Sequence, residues 1–246
     1  MLKMHDAVGT EELVIKTSGN GGMSSKISSR LATSAQKREL VKVTKEQLKA
    51  QIEAQVRAAY EKAAANTRQE LAEPQDWWEL FAVGPIQAPA GFYGVTPPPL
   101  LPHRVIRVGE EAFIVTILIL NPFPLMVPPA GLIPADVLSN FGLPFTLEYH
   151  TCDTTNCVKG PDNLNVTHTG TLIPGQFIYV DILDFVAEKA GCIFETNICG
   201  RILGCEGITA PPFAGFVRWV ADVDADLFFG SPGLEFDNPV RFMVYE

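Results

Sequence analysis

Apolar positions in the first third of the chain recur at three- and four-residue spacing, which is the period of an α-helix. The repeat follows Thr44 and Gln47, which fit a capping box in which each side chain satisfies a free backbone N–H of the other residue. Pro74 ends the pattern because proline cannot continue a helix. The sequence therefore predicts an amphipathic helix over residues 44–73, with an apolar stripe that needs a partner surface: Leu48, Ile52, Val56, Tyr60, Ala63, Thr67 and Leu71.

Beyond residue 103 the period changes to two, which is typical of β-strands. Glycine, proline, asparagine and aspartate separate the candidate strands, which cover residues 104–108, 112–120, 144–152, 164–172, 177–183, 192–203, 215–227 and 240–245. Residues 112–120 are apolar on both faces, so we expect this strand to be central and covered on both sides. The pattern predicts a mainly β fold, an antiparallel β-sandwich of immunoglobulin-like or jelly-roll type, preceded by an N-terminal α-helical arm.

Two segments before the predicted sandwich have unusual compositions. Residues 17–36 consist mainly of Gly, Ser, Thr and Ala, too few large apolar groups to fold alone. Six prolines lie between Pro85 and Pro102, and they predict an extended connector anchored by Trp77, Trp78 and Phe81. We therefore divide the chain into a flexible basic arm (1–43), the helix (44–73), a Pro-rich connector (74–103) and the β-sandwich domain (104–246).

Charge follows the same division. Residues 1–72 hold 12 Lys and Arg against 8 Asp and Glu, whereas residues 73–246 hold 7 against 20, so that the net charges are +4 and −13. The excess is concentrated in residues 26–49, with seven basic and two acidic groups. We predict that this stretch binds a partner protein, together with the start of the helix stripe, through Lys26, Arg30, Lys37, Arg38, Lys42, Leu48, Ile52 and Val56. Nucleic acid is a weaker candidate because the acidic body would repel a polyanion.

The compartment is indicated only indirectly. The start of the sequence lacks an apolar stretch typical of a secretory leader, and the longest apolar run, residues 112–120, is far shorter than the roughly 20 residues that cross a bilayer. The chain has five cysteines, an odd number. We therefore expect reduced thiols, no membrane span, and a cytoplasm-like or particle-associated location.

Local catalytic motifs are not visible. The glycine-rich stretch 19–26 resembles a phosphate loop, but Ser25 precedes its lysine where a P-loop has glycine. No serine lies in a G-x-S-x-G elbow, and the four histidines show no metalloprotease spacing. Asn165 begins a glycosylation sequon, a short match that is common by chance. We therefore expect no enzymatic activity and no cofactor.

Two groupings could bind a metal ion. His150, Cys152, Cys157 and His168 lie at the ends of two predicted strands, where they are compatible with a zinc site, with a Cys152–Cys157 disulfide, or with unlinked side chains. Asp222, Asp224 and Asp226 share one strand face and offer oxygen ligands to calcium, although a solvated strand face is the better explanation for them.

Two functional hypotheses follow. The first is a structural subunit of a homo-oligomeric or larger assembly, of filament, coat or capsid type, with the basic arm and helix docking on neighbouring subunits. The alternative is an exported binding or adhesion sandwich stiffened by a disulfide or by calcium.

Overall fold

The computed structural model describes residues 34–66, 77–87, 104–124, 131–204, 214–219 and 239–246. Two α-helices lie in these ranges, α1 (Ser34–Asn66) and α2 (Pro134–Asn140), with a 3-10 turn at Asp162–Leu164. The strands are β1 (Trp78–Gln87), β2 (Val105–Arg107), β3 (Glu111–Leu120), β4 (Pro144–Asp153), β5 (Val158–Lys159), β6 (Thr167–Thr171), β7 (Ile178–Val186), β8 (Ile193–Ile202), β9 (Ala214–Phe216), β10 (Arg218–Trp219) and β11 (Val240–Tyr245).

The described strands form two sheets. The first has the order β10-β1-β3-β7, and the second has β2-β11-β8-β4-β5, with β6 paired to β4 and β9 to β8. Pairing is antiparallel except for β1 with β10 and β11 with β2. Because β1, β3 and β7 lie in one sheet while β4, β8 and β11 lie in the other, the connectivity is that of an immunoglobulin-like sandwich. The prediction of an antiparallel β-sandwich with an N-terminal helix is confirmed.

The core between the sheets is built by alternating residues of each strand. On β3, Ala112, Ile114, Leu118 and Leu120 face the second sheet. From the second sheet, Leu147, Tyr149, Phe194, Ile198 and Phe242 face them. Two glycines make room for the indole of Trp78, since a Cβ at Gly215 would lie 2.8 Å from the Trp78 ring and one at Gly200 3.3 Å.

The opposite face of the first sheet is also apolar, and helix α1 covers it. Leu48, Ile52, Val56 and Ala59 are buried there, and Tyr60 packs beside them with its ring centroid 4.9 Å from that of Phe177. The face that they contact consists of Phe81, Val83, Ile86, Phe113, Val115, Ile117, Ile119, Phe123, Ile178, Val180 and Ile182. The expectation that residues 112–120 are covered on both sides is thus confirmed, with a sheet on one side and a helix on the other.

This packing corrects one prediction. Leu48, Ile52 and Val56 were expected to dock on a neighbouring subunit, but they lie in the core of their own chain. The apolar stripe and the apolar outer face of the first sheet complement each other, and a connection of only eleven residues, 67–77, joins the helix to β1. A tethered partner is present at a high effective concentration, so the contact within the chain is favoured.

The element bounds also differ from the predicted ones. Helix α1 begins at Ser34 and ends at Asn66, so it starts ten residues earlier than predicted and includes the end of the predicted arm. Strand β1 lies inside the predicted connector, because the apolar run 80–83 outweighs Pro85. The pairing of β1 with β3 shifts register between Val83 and Ile86, which accommodates that proline without a ladder N–H. The division into four segments remains a prediction.

The helix contact is testable by truncation of a buried side chain. Ile52 projects from α1 and is fully buried against the first sheet, so Ile52→Ala should lower the free energy of unfolding by about 2–4 kcal/mol. Lys49→Ala, at an exposed position one turn away, is the matched control and should change it by less than about 0.5 kcal/mol. Urea unfolding monitored by circular dichroism measures both, and equal small effects would show that α1 does not pack on the sheet.

Candidate functional site

A network of polar side chains crosses the interior of the sandwich. Thr116 on β3 and Asp181 on β7 are register neighbours that face the second sheet. The hydroxyl of Tyr149, on β4, lies 2.7 Å from Asp181 Oδ2 and 2.8 Å from Thr116 Oγ1. Because a hydroxyl has one proton, Tyr149 donates to the carboxylate and accepts from Thr116. The network therefore joins one strand of the second sheet to two strands of the first.

His168 extends the network to a fourth strand. Its Nδ1 lies 2.6 Å from Asp181 Oδ2, and its ring packs 5.3 Å from the ring of Tyr149, centroid to centroid. His168 belongs to β6 in the second sheet and Asp181 to β7 in the first. Asp181 thus holds the two sheets together where the edge strands β6 and β7 approach each other.

The electrostatics of the network fix its protonation. Burial, then the negative charge of Asp181, raise the pKa of Tyr149 well above its usual value, so its hydroxyl stays protonated and donates. The hydrogen bond to Asp181 raises the pKa of His168 above 6.5 against the opposing effect of burial. Burial alone would raise the pKa of Asp181, but hydrogen bonds from His168 and Tyr149 outweigh it and the pKa is lowered.

The chemistry available to this network is that of a structural tie. An aspartate that orients a histidine is also the arrangement that prepares a general base for a hydroxyl nucleophile. Here the hydroxyl on Asp181 belongs to Tyr149, and Thr116 contacts that hydroxyl in turn; the two residues are 1% and 0% exposed. A substrate has no access to either oxygen. The pairing of opposite charges across the sheets gives the network a structural role.

The predicted disulfide is not formed. Cys152 and Cys157 are both free and exposed thiols. Cys152 projects from β4 opposite Lys159, whereas Cys157 sits in the turn with φ of 55° and directs its Sγ toward the carbonyl oxygen of Thr154, 3.8 Å away. Of the three interpretations of these cysteines, the unlinked one agrees with the structure.

The predicted zinc grouping does not converge either. His168 points into the sandwich toward Asp181, while His150 is exposed and lies 3.5 Å from Glu148 on the same strand. The two imidazoles thus occupy opposite faces of the second sheet. Within the described ranges, His, Cys, Asp and Glu side chains do not gather in any group of three suited to a metal ion.

Other predicted site residues are only partly described. Lys42 is exposed on α1, and Lys37 and Arg38 lie in the first turns of that helix. Lys26 and Arg30 fall outside the described residues, as do the calcium candidates Asp222, Asp224 and Asp226. The partner and calcium assignments of these residues stay predictions.

A loop beside the network is held by the amide of Asn165. Its Oδ1 accepts from the N–H of Thr151 at 2.9 Å, and its Nδ2 donates to the carbonyl oxygens of Pro161 at 2.8 Å, Gly160 at 3.2 Å and Thr151 at 3.3 Å. These contacts use the nitrogen that glycosylation of the sequon would modify. The side chain therefore has a structural role in the folded protein.

A second polar cluster closes the turn after β4. Asp153 Oδ2 accepts from Asn156 Nδ2 at 2.7 Å and from Lys189 Nζ at 3.2 Å, and the hydrogen bond from Asn156 leads the contacts that hold the pKa of Asp153 far below its usual value. The side chain of Asp153 is almost fully buried. It is therefore a buried carboxylate whose charge is balanced locally.

Comparison with known proteins adds little. The sequence matches no family model, and no curated protein is significantly similar to it. Among solved structures, the chain is similar to the CARDB domain of a Pyrococcus furiosus protein, crystallised in complex with di-metal ions, at 12% identity, with 62% of this chain and 95% of that chain covered and a TM-score of 0.29. A score this low carries no argument about function.

None of the described helices is apolar over a length that would span a bilayer.

The network predicts a stability optimum in pH. The stabilisation from His168 is present below pH 6.5 and is lost as pH rises through its elevated pKa, whereas that from Asp181 is present above pH 3.8 and is lost as pH falls through its lowered pKa. The contribution should therefore be largest between about pH 4 and pH 6.5. His168→Gln should lower the melting temperature within this window and weaken its decline above pH 6.5, whereas His150→Gln, on the exposed face, should leave the profile unchanged.

Removing the tyrosine hydroxyl tests the network at its centre. Tyr149→Phe removes the buried partner of the Thr116 hydroxyl and one of the two hydrogen-bond donors to Asp181, so we expect a loss of about 1–3 kcal/mol in the free energy of unfolding. Tyr245→Phe is the matched control, since Tyr245 is exposed. A neutral Tyr149→Phe substitution in urea unfolding would contradict a structural role for the network.

Proposed function

We propose that the chain is a non-enzymatic subunit of a homo-oligomeric or larger assembly, of filament, coat or capsid type, in which the basic N-terminal arm docks on the acidic sandwich of a neighbouring copy. The helix stripe has no part in this contact because it is buried within its own chain. The arm is the remaining segment with a strong excess of positive charge, and the sandwich is the acidic partner.

One contact carries the proposal: the ion pair between Lys45 on α1 and Asp184 on β7. Lys45 is part of the basic stretch and Asp184 belongs to the acidic body, so the pair is a contact of the type proposed between copies. Both side chains are partly exposed, so a single pair of this kind contributes little. Several such pairs would be needed to hold an arm on a neighbour.

The direction of α1 supports an arm that extends beyond the sandwich. Lys45 contacts Asp184 near the end of β7, and Tyr60 contacts Phe177 just before the start of that strand, so the helix runs antiparallel to β7. The eleven helical residues 34–44 add about 16 Å before Lys45, whereas β7 continues for only two residues, about 7 Å, beyond Asp184. Helix α1 therefore begins beyond the end of β7, at the point where the arm joins it.

Nothing in the described chemistry favours catalysis over this role. The polar network joins the two sheets, and the described part of the chain has no metal-binding cluster. The alternative of an exported module stiffened by a disulfide loses its support from Cys152 and Cys157, which are free thiols.

The proposal is tested by charge reversal in the arm. Light scattering of the full-length chain should show assemblies that dissociate between about 0.05 and about 1 M salt, where the Debye length falls to about 3 Å. Lys26→Glu with Arg30→Glu should weaken assembly at low salt without changing the melting temperature. Lys159→Glu, which alters an exposed cation of the body, is the matched control.

Deletion of residues 1–33 is a second test of the proposal. The shortened chain retains α1 and should fold with an unchanged melting temperature, while its assemblies should be smaller than those of the full-length chain. Assemblies of undiminished size from this variant, or a monomeric full-length chain at every concentration, would refute the proposed role of the arm.

A further inference from the structure

The outer face of the second sheet carries a row of exposed apolar side chains. Val105 on β2 and Ile193 on β8 are both register partners of Met243 on β11. Residues opposite each other on adjacent strands project from the same face of a sheet. Val105, Met243 and Ile193 are 47%, 41% and 46% exposed, so three large apolar side chains lie side by side in contact with solvent.

This row departs from the pattern of its own strand. On β11 the residues Val240, Phe242 and Val244 are buried in the core, so that Met243 and Tyr245 occupy positions that face outward. Outward positions of a half-exposed antiparallel sheet are normally polar. The outer face of the first sheet is covered by α1, and no described element covers the outer face of the second.

From these observations we infer that the row, centred on Met243, is a self-association site that pairs two copies of the chain face to face. The inference rests on the proposed function and names a second copy as the partner at this surface. Pairing of a surface with itself requires that it be self-complementary about a two-fold axis.

The residues beside the row meet that requirement. Tyr245 lies on one side of Met243 along β11, and Arg241 lies on the other. A two-fold axis that runs along the row places the Tyr245 side of one copy against the Arg241 side of the other. Tyr245 of each copy then faces Arg241 of the second copy, where a guanidinium stacks favourably on an aromatic ring.

The charge of the surface favours a second copy over an acidic segment. Residues 220–238 precede β11 and hold five acidic and no basic groups, so they are a rival occupant by position. However, Arg241 Nε already lies 2.7 Å from a carboxylate oxygen of Glu195, its register partner. Arg107, the register partner of Tyr245, is likewise paired with Glu110, at 3.6 Å. The cations beside the row are therefore already balanced, and the row attracts an apolar surface more than an anionic one.

A charge placed in the row tests the inference. Sedimentation of the full-length chain over a range of concentrations should show association that Met243→Asp weakens at least tenfold in dissociation constant. Ile173→Asp is the matched control, because Ile173 is an exposed apolar residue outside the row, and it should associate as the unaltered chain does.

A cysteine in the row tests the geometry. With Cys152 and Cys157 both changed to serine, Met243→Cys should form a disulfide between two copies on mild oxidation, because position 243 lies on the axis and faces itself. Ile173→Cys in the same background should not.

The possible results separate this site from the proposed function. Assembly that is unchanged by Met243→Asp would leave the arm-mediated role standing and overturn the row as an interface. A monomeric unaltered chain would overturn both. A monomeric chain whose Met243→Asp variant melts at a lower temperature would place a segment of the same chain on the row, and would also overturn the inference.

Discussion

The structure depends on the burial of a sheet that is apolar on both faces. The first sheet contributes Ile114 and Leu118 to the core between the sheets, and Phe113, Val115 and Ile117 to its outer face. Water-exposed apolar surface of that extent is strongly unfavourable, at roughly 25 cal/mol per Å², and the second sheet can cover only one of the two faces. Helix α1 covers the other. The described part of the chain therefore has three layers, a helix, a four-stranded sheet and a second sheet, and the N-terminal helix is a part of the fold rather than an appendage.

Within the sandwich, the polar network adds specificity to this apolar packing. Thr116, Tyr149, His168 and Asp181 come from four different strands, and their hydrogen bonds form only when both sheets are in the correct relative position. A buried polar group without its partner costs about 1–3 kcal/mol, so the network penalises any shift of one sheet over the other. The hydroxyls of Thr116 and Tyr149 are buried, so their hydrogen bonds serve the contact between the two sheets.

Much of this fold follows from the sequence, while the relation between its parts does not. The period-two pattern predicts β3, β4, β8 and β11 within about a residue at each end, and the two apolar faces of residues 112–120 predict cover on both sides. The stripe on α1 predicts a helix with a missing partner surface. Pattern alone does not reveal that these two unmatched surfaces belong together, since complementarity between distant segments has no local signature. The sequence pattern did not predict strand β1, because Pro85 and the prolines that follow it indicated an extended connector. The sequence contains only a weak indication of the polar network: a threonine on β3 and an aspartate on β7 stand at positions where apolar residues are expected.

The proposed assembly uses surfaces that remain after the core is complete: the basic arm and the row around Met243. It requires that α1 be fixed to its own sheet, and hydrogen–deuterium exchange of the full-length chain, followed by mass spectrometry, tests that requirement most directly. The amides of residues 48–60 should exchange as slowly as those of β3 and β7, because opening the helix exposes the sheet beneath it. Exchange of these amides at the rate of an isolated helix, with β3 still protected, would contradict the account.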